Sequence, residues 1–271
     1  MKKIITIVAI CIIGGWFIID NPFKHNQTNN HIAATSYNEQ VYQGDLLLVN
    51  HDFPVKKDYI PTDIVNALET NTNNYYMVLY NDILISEYIK APFEALMEQA
   101  YRDGISTFLV SSGFRSFAEQ QKLYDEYGSK SALPAGYSEH NLGLSLDIGS
   151  TQGRMEDTAE GQWLADNVWQ YGFIMRYPKN KTRITNIKYE PWHIRYVGLP
   201  HSLLMRKKNL ALEEYLAFLK TEQTVYASVN GQDYTIKYYE GNQFSEDLLP
   251  ENQAYTISGD NQNGVIVTIE T

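Results

Sequence analysis

The sequence predicts an α+β fold followed by a small C-terminal all-β appendage. Three observations carry this. Short apolar strand candidates and amphipathic helical stretches interleave, with no internal repeat, as far as Lys220. Helical patterning then stops, and the remaining strand candidates follow one another directly. Asn230-Gly231 stands between the first two of them and is a strong hairpin signal.

Composition bounds the rest. A chain of 271 residues holds one or two domains. With 44% hydrophobic residues it can build a core, which excludes wholesale disorder. The 22 basic residues against 32 acidic ones give a net charge of −10, a poor basis for binding a phosphate backbone. Cys11 is the one cysteine, so neither an intrachain disulfide nor a cysteine-based zinc knuckle can form.

The elements run in order. Lys2 and Lys3 precede an apolar run from Ile4 to Ile19, so residues 1–20 read as a membrane anchor or signal segment with the remainder exported. The run is short beside the roughly 17–25 residues of a membrane helix. No small-x-small cleavage site follows at the usual distance, which favours an uncleaved anchor over secretion after cleavage. Residues 21–40, rich in Asn, Gln, Thr and His, read as a linker. Leu46–Asn50 is a strand candidate, and Tyr75–Tyr80 with Ile83–Ser86 resembles a hairpin around Asn81-Asp82. Ala91–Asp103 has helical spacing at Phe93, Leu96, Met97 and Ala100 and is closed by Gly104. Thr107–Ser111 is a strand, Ser116–Tyr127 a helix and Leu133–His140 a loop. Leu144–Ile148 is a strand, Glu156–Tyr171 a helix stopped by Gly172, Trp192–Val197 a strand and Leu210–Lys220 a last amphipathic helix. Val225–Val229, Tyr234–Tyr239, Ala254–Ser258 and Val265–Ile269 are the strands of the appendage. The resulting domains are 41–221 and an all-β 222–271.

Of the histidines, His25 and His31 fall in the linker, His51 has no distinctive company and His201 begins a helix. His140 and His193 stand in richer surroundings: Ser138-Glu139-His140-Asn141-Leu142-Gly143-Leu144-Ser145-Leu146-Asp147 and Glu190-Pro191-Trp192-His193. Zinc hydrolysis needs three protein ligands, an open fourth position and a carboxylate that is not itself a ligand. His140, Asp147 and His193 supply two nitrogens and one oxygen, and Glu190 is the spare carboxylate. Asp147 ends an apolar strand, where a carboxylate without metal or donors is costly. Pro191 forbids a mid-helix reading. Residues three apart on a strand face opposite ways, so Glu190 and His193 converge only if the chain bends at Pro191. A further segment, Ser111-Ser112-Gly113-Phe114-Arg115-Ser116-Phe117-Ala118-Glu119-Gln120, passes from strand to helix, and Arg115 there can stabilise an oxyanion or clamp a carboxylate. Arg195, Glu139 and Glu119 lie near these motifs and read as structural.

The three segments together resemble the VanY-type D-alanyl-D-alanine carboxypeptidases. That group belongs to a zinc peptidase superfamily with the VanX dipeptidases, the L,D-carboxypeptidases and the hedgehog signalling domain. Its pattern is Ser-Gly-(Tyr/Phe)-Arg-(Ser/Thr), then Ser-x-His-x-x-Gly-x-Ala-x-Asp, then Glu-Pro-Trp-His, and all occur here in order. Ser145 stands where Ala is usual. Further likeness lies in Leu48-Val49-Asn50, Asp58-Tyr59-Ile60-Pro61, Trp163-Leu164, Tyr171-Gly172-Phe173-Ile174 and Arg176-Tyr177-Pro178. The resemblance covers about Leu46 to Gly198 and leaves out 223–271.

It implies a small antiparallel sheet with flanking helices carrying a zinc site. His140, Asp147 and His193 would be the zinc ligands, Glu190 the general base, and Arg115 the group that polarises the scissile carbonyl. Gln120 and Ser138 match positions that hold the substrate peptide, and Tyr137 and Trp192 would line the pocket. The implied reaction removes the terminal D-Ala from a peptidoglycan stem pentapeptide, in a monomer held at the membrane by its N-terminal segment and with no nucleic-acid partner. The alternatives are an L,D-carboxypeptidase acting on tetrapeptides and a non-catalytic zinc-bearing cell-wall binding module. Glu190 and Arg115 argue against the module, since a binder needs no base.

Overall fold

The computed structural model describes residues 37–271 apart from Asp58, Thr72 and Lys130. The expected anchor, residues 1–20, and most of the linker lie outside the described residues. Among the described residues no helix is long and apolar enough to cross a membrane. The described chain forms two compact units: residues 45–215, and residues 37–44 with 216–271.

The larger unit is built on a sheet of five strands in the order β2-β4-β5-β7-β6: Met77–Val78 (β2), Phe108–Ser112 (β4), Ser145–Ser150 (β5), Phe173–Tyr177 (β6) and Glu190–Tyr196 (β7). All neighbours are antiparallel except β2 beside β4. Ile64–Asn66 (β1) and Leu84–Ser86 (β3) form a separate antiparallel pair. The expected hairpin around Asn81-Asp82 is therefore absent: its two halves pair with different strands, β2 with β4 and β3 with β1. Leu46–Asn50 is not a strand either. Leu46 to Val49 are buried, and the carbonyls of Asp45 and Leu47 accept hydrogen bonds from Arg195, so side-chain donors there do the work of a partner strand.

Alternation on the central strands sorts the residues. Leu146, Ile148 and Ile194 are fully buried and join the core made by Phe93, Leu96 and Met97 of the helix Glu87–Arg102. That helix starts earlier than the sequence suggests. The Ser86 side chain caps it by accepting from Tyr88 N, and it runs through Pro92. The helix Phe117–Tyr127 opens with a capping box between Ser116 and Glu119, which accounts for Glu119 without any role in chemistry. Strand β6, unread in the sequence, follows the helical stretch Ala159–Tyr171 and its stop at Gly172.

The smaller unit is an antiparallel sheet in the order β10-β11-β9-β8, from Thr224–Val229 (β8), Gln232–Glu240 (β9), Tyr255–Gly259 (β10) and Gly264–Glu270 (β11). Asn230 and Gly231, both at positive φ, make the β8–β9 turn as expected. Val41 packs with Phe244, Val265, Val267 and Ile269, and Tyr37 Oη donates to the Asn263 carbonyl at 2.7 Å. Tyr37–Gln40, the end of the expected linker, and residues 41–44 of the expected catalytic domain thus belong to this unit, because Tyr37 and Val41 pack in its apolar cluster.

Candidate active site

The register of the larger sheet assembles the site. Asp147 on β5 is paired directly with His193 on β7, so both side chains leave the sheet on one face, opposite the core residues Leu146 and Ile194. His140 comes from the 3₁₀ turn Glu139–Leu142. That turn ends at Gly143, whose φ of +77° lets the chain reverse into β5 at a conformation costly for other residues.

Glu190 and His193 face the same site although they are three residues apart on one strand. The pairing of β6 with β7 passes from Met175↔Ile194 to Tyr177↔Glu190, so between these pairs Arg176 alone on β6 opposes Pro191, Trp192 and His193 on β7. This bulge contains Pro191, which has no N–H to give the ladder. It brings Glu190 Oε2 to 3.8 Å from His193 Nδ1. The bend required at Pro191 is therefore present.

Donor atoms of His140, Asp147 and His193 lie within 4.8 Å of one another. His140 Nδ1 is 2.6 Å from the Gly113 carbonyl, which makes it the protonated nitrogen and leaves Nε2 facing Asp147 Oδ2 at 3.4 Å. Gly113 can only be glycine here, since a β-carbon would stand 2.1 Å from the Leu84 carbonyl oxygen. Asp147 Oδ1 is 3.0 Å from His193 Nδ1. Ligands at about 2.0–2.2 Å around a tetrahedral zinc lie roughly 3.3–3.6 Å apart, so the donor set and its spacing fit such an ion.

The electrostatics agree. Burial, with Arg115 nearby, pushes His140 down to about 4, so it is neutral and able to ligate. Burial raises the Asp147 carboxyl, but His140 and His193 outweigh it and hold Asp147 well below the usual carboxylate range. Burial lowers His193, yet the neighbouring carboxylates of Asp147 and Glu139 carry it up to about 9. A cation among these groups takes over the charge that this proton otherwise supplies. Burial pushes the Glu190 carboxyl above the ordinary glutamate value, against the pull of His193.

These groups open into a cleft of about 730 Å³. Arg115 is held on one wall: its Nη1 donates to Gln120 Oε1 at 2.7 Å, its Nε to Ser112 Oγ at 3.2 Å, and its Nη2 stands 3.6 Å from Asp147 Oδ2. Gln120 also lines the cleft; it is buried, and besides accepting from Arg115 its amide donates to the Leu133 carbonyl at 2.6 Å, so its polar atoms hold protein groups. Ser138 and Trp192 line the cleft, Trp192 being 38% exposed. Tyr137 is half-buried and is not among the residues that line the cleft. Among the lining residues the sequence left unassigned are His51, Ser112, Tyr177 and Lys188. Tyr177 sits in the Arg176-Tyr177-Pro178 likeness, which was the available signal, and its ring centroid is 4.9 Å from that of His193.

A family model described as D-alanyl-D-alanine carboxypeptidase matches residues 82–199. The chain is 48% identical over 254 residues to a D-alanyl-D-alanine carboxypeptidase of Enterococcus faecium, covering 92% of this chain and 84% of that one. It is similar to the vancomycin-resistance D,D-dipeptidase VanXYg, solved with a D-Ala-D-Ala phosphinate analogue: TM-score 0.75, 27% identity, 86% of this chain and 96% of that one. It is also similar to a variant of the D,D-pentapeptidase VanY from the VanB-type cassette, solved with Zn(II): TM-score 0.53, 32% identity, 64% of this chain and 98% of that one.

Proposed function

Since the chain belongs to the VanY family of D-alanyl-D-alanine carboxypeptidases, we infer that it removes the C-terminal D-Ala from peptidoglycan stem pentapeptides as a zinc D,D-carboxypeptidase. The single observation that carries the chemistry is Glu190. Its carboxylate stands beside the donor cluster without being one of the three groups that form it.

His140, Asp147 and His193 hold the zinc in this reading. Zinc bound there supplies Lewis-acid polarisation and lowers the pKa of water. Glu190 accepts a proton from the water that attacks the scissile carbonyl carbon. As the C–N bond breaks it returns that proton to the leaving amine. A carboxyl raised toward neutrality suits both halves of that transfer. Arg115, fixed by Ser112 and Gln120, presents its guanidinium to the carbonyl oxygen where negative charge develops. Gln120 contributes by holding Arg115, Ser138 meets the terminal carboxylate, and Trp192 borders the peptide's path.

The stem peptide reaches such a site outside the cytoplasm. We place the chain there, with residues 1–20 as its anchor, 21–36 as a spacer, 45–215 as the carboxypeptidase domain and 37–44 with 216–271 as an accessory domain built on the four-stranded sheet. Incubating the protein with purified pentapeptide and tetrapeptide, with products identified by mass, tests the reading. Loss of one D-Ala from the pentapeptide supports it, and cleavage of the tetrapeptide alone replaces it with the L,D activity.

A further inference from the structure

His193 has two ring nitrogens, and only Nδ1 faces the donor cluster. The other, Nε2, is buried without a hydrogen-bond partner among the described residues. The polar group it faces is Glu139 Oε2, at 3.5 Å. Glu139 is completely buried. Its Oε1 is held by two arginines that are also completely buried, Arg176 Nε at 2.8 Å and Arg195 Nη1 at 2.9 Å. Its Oε2 accepts from Ser145 Oγ at 3.3 Å.

The arginines are themselves fixed. Arg176 forks onto Glu213 with contacts of 2.9 and 2.7 Å. Arg195 donates to the carbonyls of Asp45, Leu47 and Tyr196 at 2.9, 3.1 and 3.0 Å. Taking one carboxylate and two guanidinium groups out of water is expensive, and a core of apolar residues would fill the same space more cheaply. The cluster thus calls for a reason beyond packing, and its one free direction points at His193.

We propose that Glu139, braced by Arg176 and Arg195, is the positioning residue that fixes the ring of His193 with Nδ1 toward the metal cluster. The proposal rests on the reading that His140, Asp147 and His193 hold zinc. The two arginines claim Oε1 of the carboxylate, which leaves Oε2 as an acceptor for the His193 Nε2–H. A ring held by that bond keeps a lone pair on Nδ1 and cannot flip to offer the wrong nitrogen.

The substitution Glu139→Gln keeps the shape and tests the idea sharply. Two arginines demand an oxygen at the Oε1 position, so the amide NH₂ falls at the Oε2 position and meets the His193 N–H donor to donor. Zinc affinity of the full chain, measured by competition with a chelator, should fall about 10–100-fold. Glu213→Gln is the control. It loosens the same Arg176 but does not face His193, and it should leave zinc affinity within about threefold of wild type. Equal affinity in Glu139→Gln and wild type overturns the proposal. So does an equal loss in both variants, which is what a purely structural cluster predicts.

Should Glu139→Gln not fold, nitrogen NMR of the zinc-loaded wild-type chain decides. A proton on His193 Nε2 that exchanges slowly with solvent supports the proposal, and a deprotonated Nε2 overturns it. A wild-type chain that takes up no zinc overturns the underlying site reading as well, and so tells the two failures apart.

Discussion

Asp147 Oδ1 lies 3.0 Å from His193 Nδ1, across a pair of strands on which the two residues are directly opposite. The contact is a consequence of register. A slip of one residue between β5 and β7 would send one of the two side chains into the core and break the donor cluster. The zinc reading therefore depends on the sheet as much as on the ligands themselves.

Removal of the base separates metal binding from chemistry. Glu190→Ala should retain zinc at wild-type stoichiometry, since Glu190 lies outside the donor cluster. Its turnover should drop about 10²–10⁴-fold, the usual contribution of a placed general base. Metal analysis alongside single-turnover rates checks both halves. Near-normal turnover in this variant shows that another group takes the proton.

Arg115 and Ser138 should divide between kcat and KM. Arg115→Ala removes a donor to charge that develops in the transition state, so kcat carries most of its effect. Ser138→Ala removes a donor to a carboxylate present in ground and transition states alike, so KM carries most of its effect. A cost of about 1.5–3 kcal/mol is expected for a lost hydrogen bond to a charged group. Steady-state kinetics on one pentapeptide distinguish the two, and a reversed pattern exchanges the roles.

Gly113 is a sensitive point that holds a ligand ring without itself being a ligand. In Gly113→Ala the new methyl would stand 2.1 Å from the Leu84 carbonyl oxygen, and the backbone must shift. The shift displaces the Gly113 carbonyl from His140 Nδ1. Overpacking of this kind costs about 1–3 kcal/mol. Denaturant titration should show that loss, and chelator competition should show weaker zinc binding with it. Unchanged zinc affinity in a destabilised variant would mean that the Gly113–His140 contact does not matter to the metal.

His201 predicts a pH signature in stability. Burial pushes it down to about 3 from an ordinary 6.5, so the folded chain holds it neutral while the unfolded chain protonates it near 6.5. The folded value is the lower one. The contribution of neutral His201 is therefore complete above about pH 6.5 and is lost as pH falls toward 3. Between pH 7 and 5 the unfolding free energy of wild type, from denaturant titration, should fall more than that of His201→Gln, by a difference no steeper than about 1.4 kcal/mol per pH unit. Parallel curves for the two proteins contradict this.

The chemistry was legible in the sequence because its residues sit in short, ordered motifs whose geometry is mostly local. His140 and Asp147 are joined by one turn and one strand, and Glu190 and His193 by one bulge. What could not be read depends on distant partners. Glu139 and Arg176 reveal their relationship only when β6 is laid beside β7, and Arg195 only when its guanidinium meets the carbonyls of Asp45 and Leu47. The apolar run Leu46–Val49 looked like a strand because burial and strand propensity leave the same trace. The hairpin expected around Asn81-Asp82 failed for a related reason. Two apolar segments with a turn between them pair with each other only if no better neighbour exists, and here β4 and β1 are those neighbours. Tyr137, which the resemblance implies as a pocket residue, is not among the residues lining the cleft, whereas its neighbour Ser138 is.

The measurement closest to the central claim compares a stem pentapeptide with the same peptide amidated at its C-terminus, under kcat/KM conditions with the zinc-loaded protein. A carboxypeptidase must recognise a free terminal carboxylate, and a buried carboxylate left without donors costs several kcal/mol. The account predicts release of one D-Ala from the free acid and at least a tenfold lower kcat/KM for the amide, the kinetic equivalent of about 1.4 kcal/mol. Equal cleavage of both peptides would show that no terminal carboxylate is read, and the exopeptidase account would give way to an endopeptidase on the same zinc site.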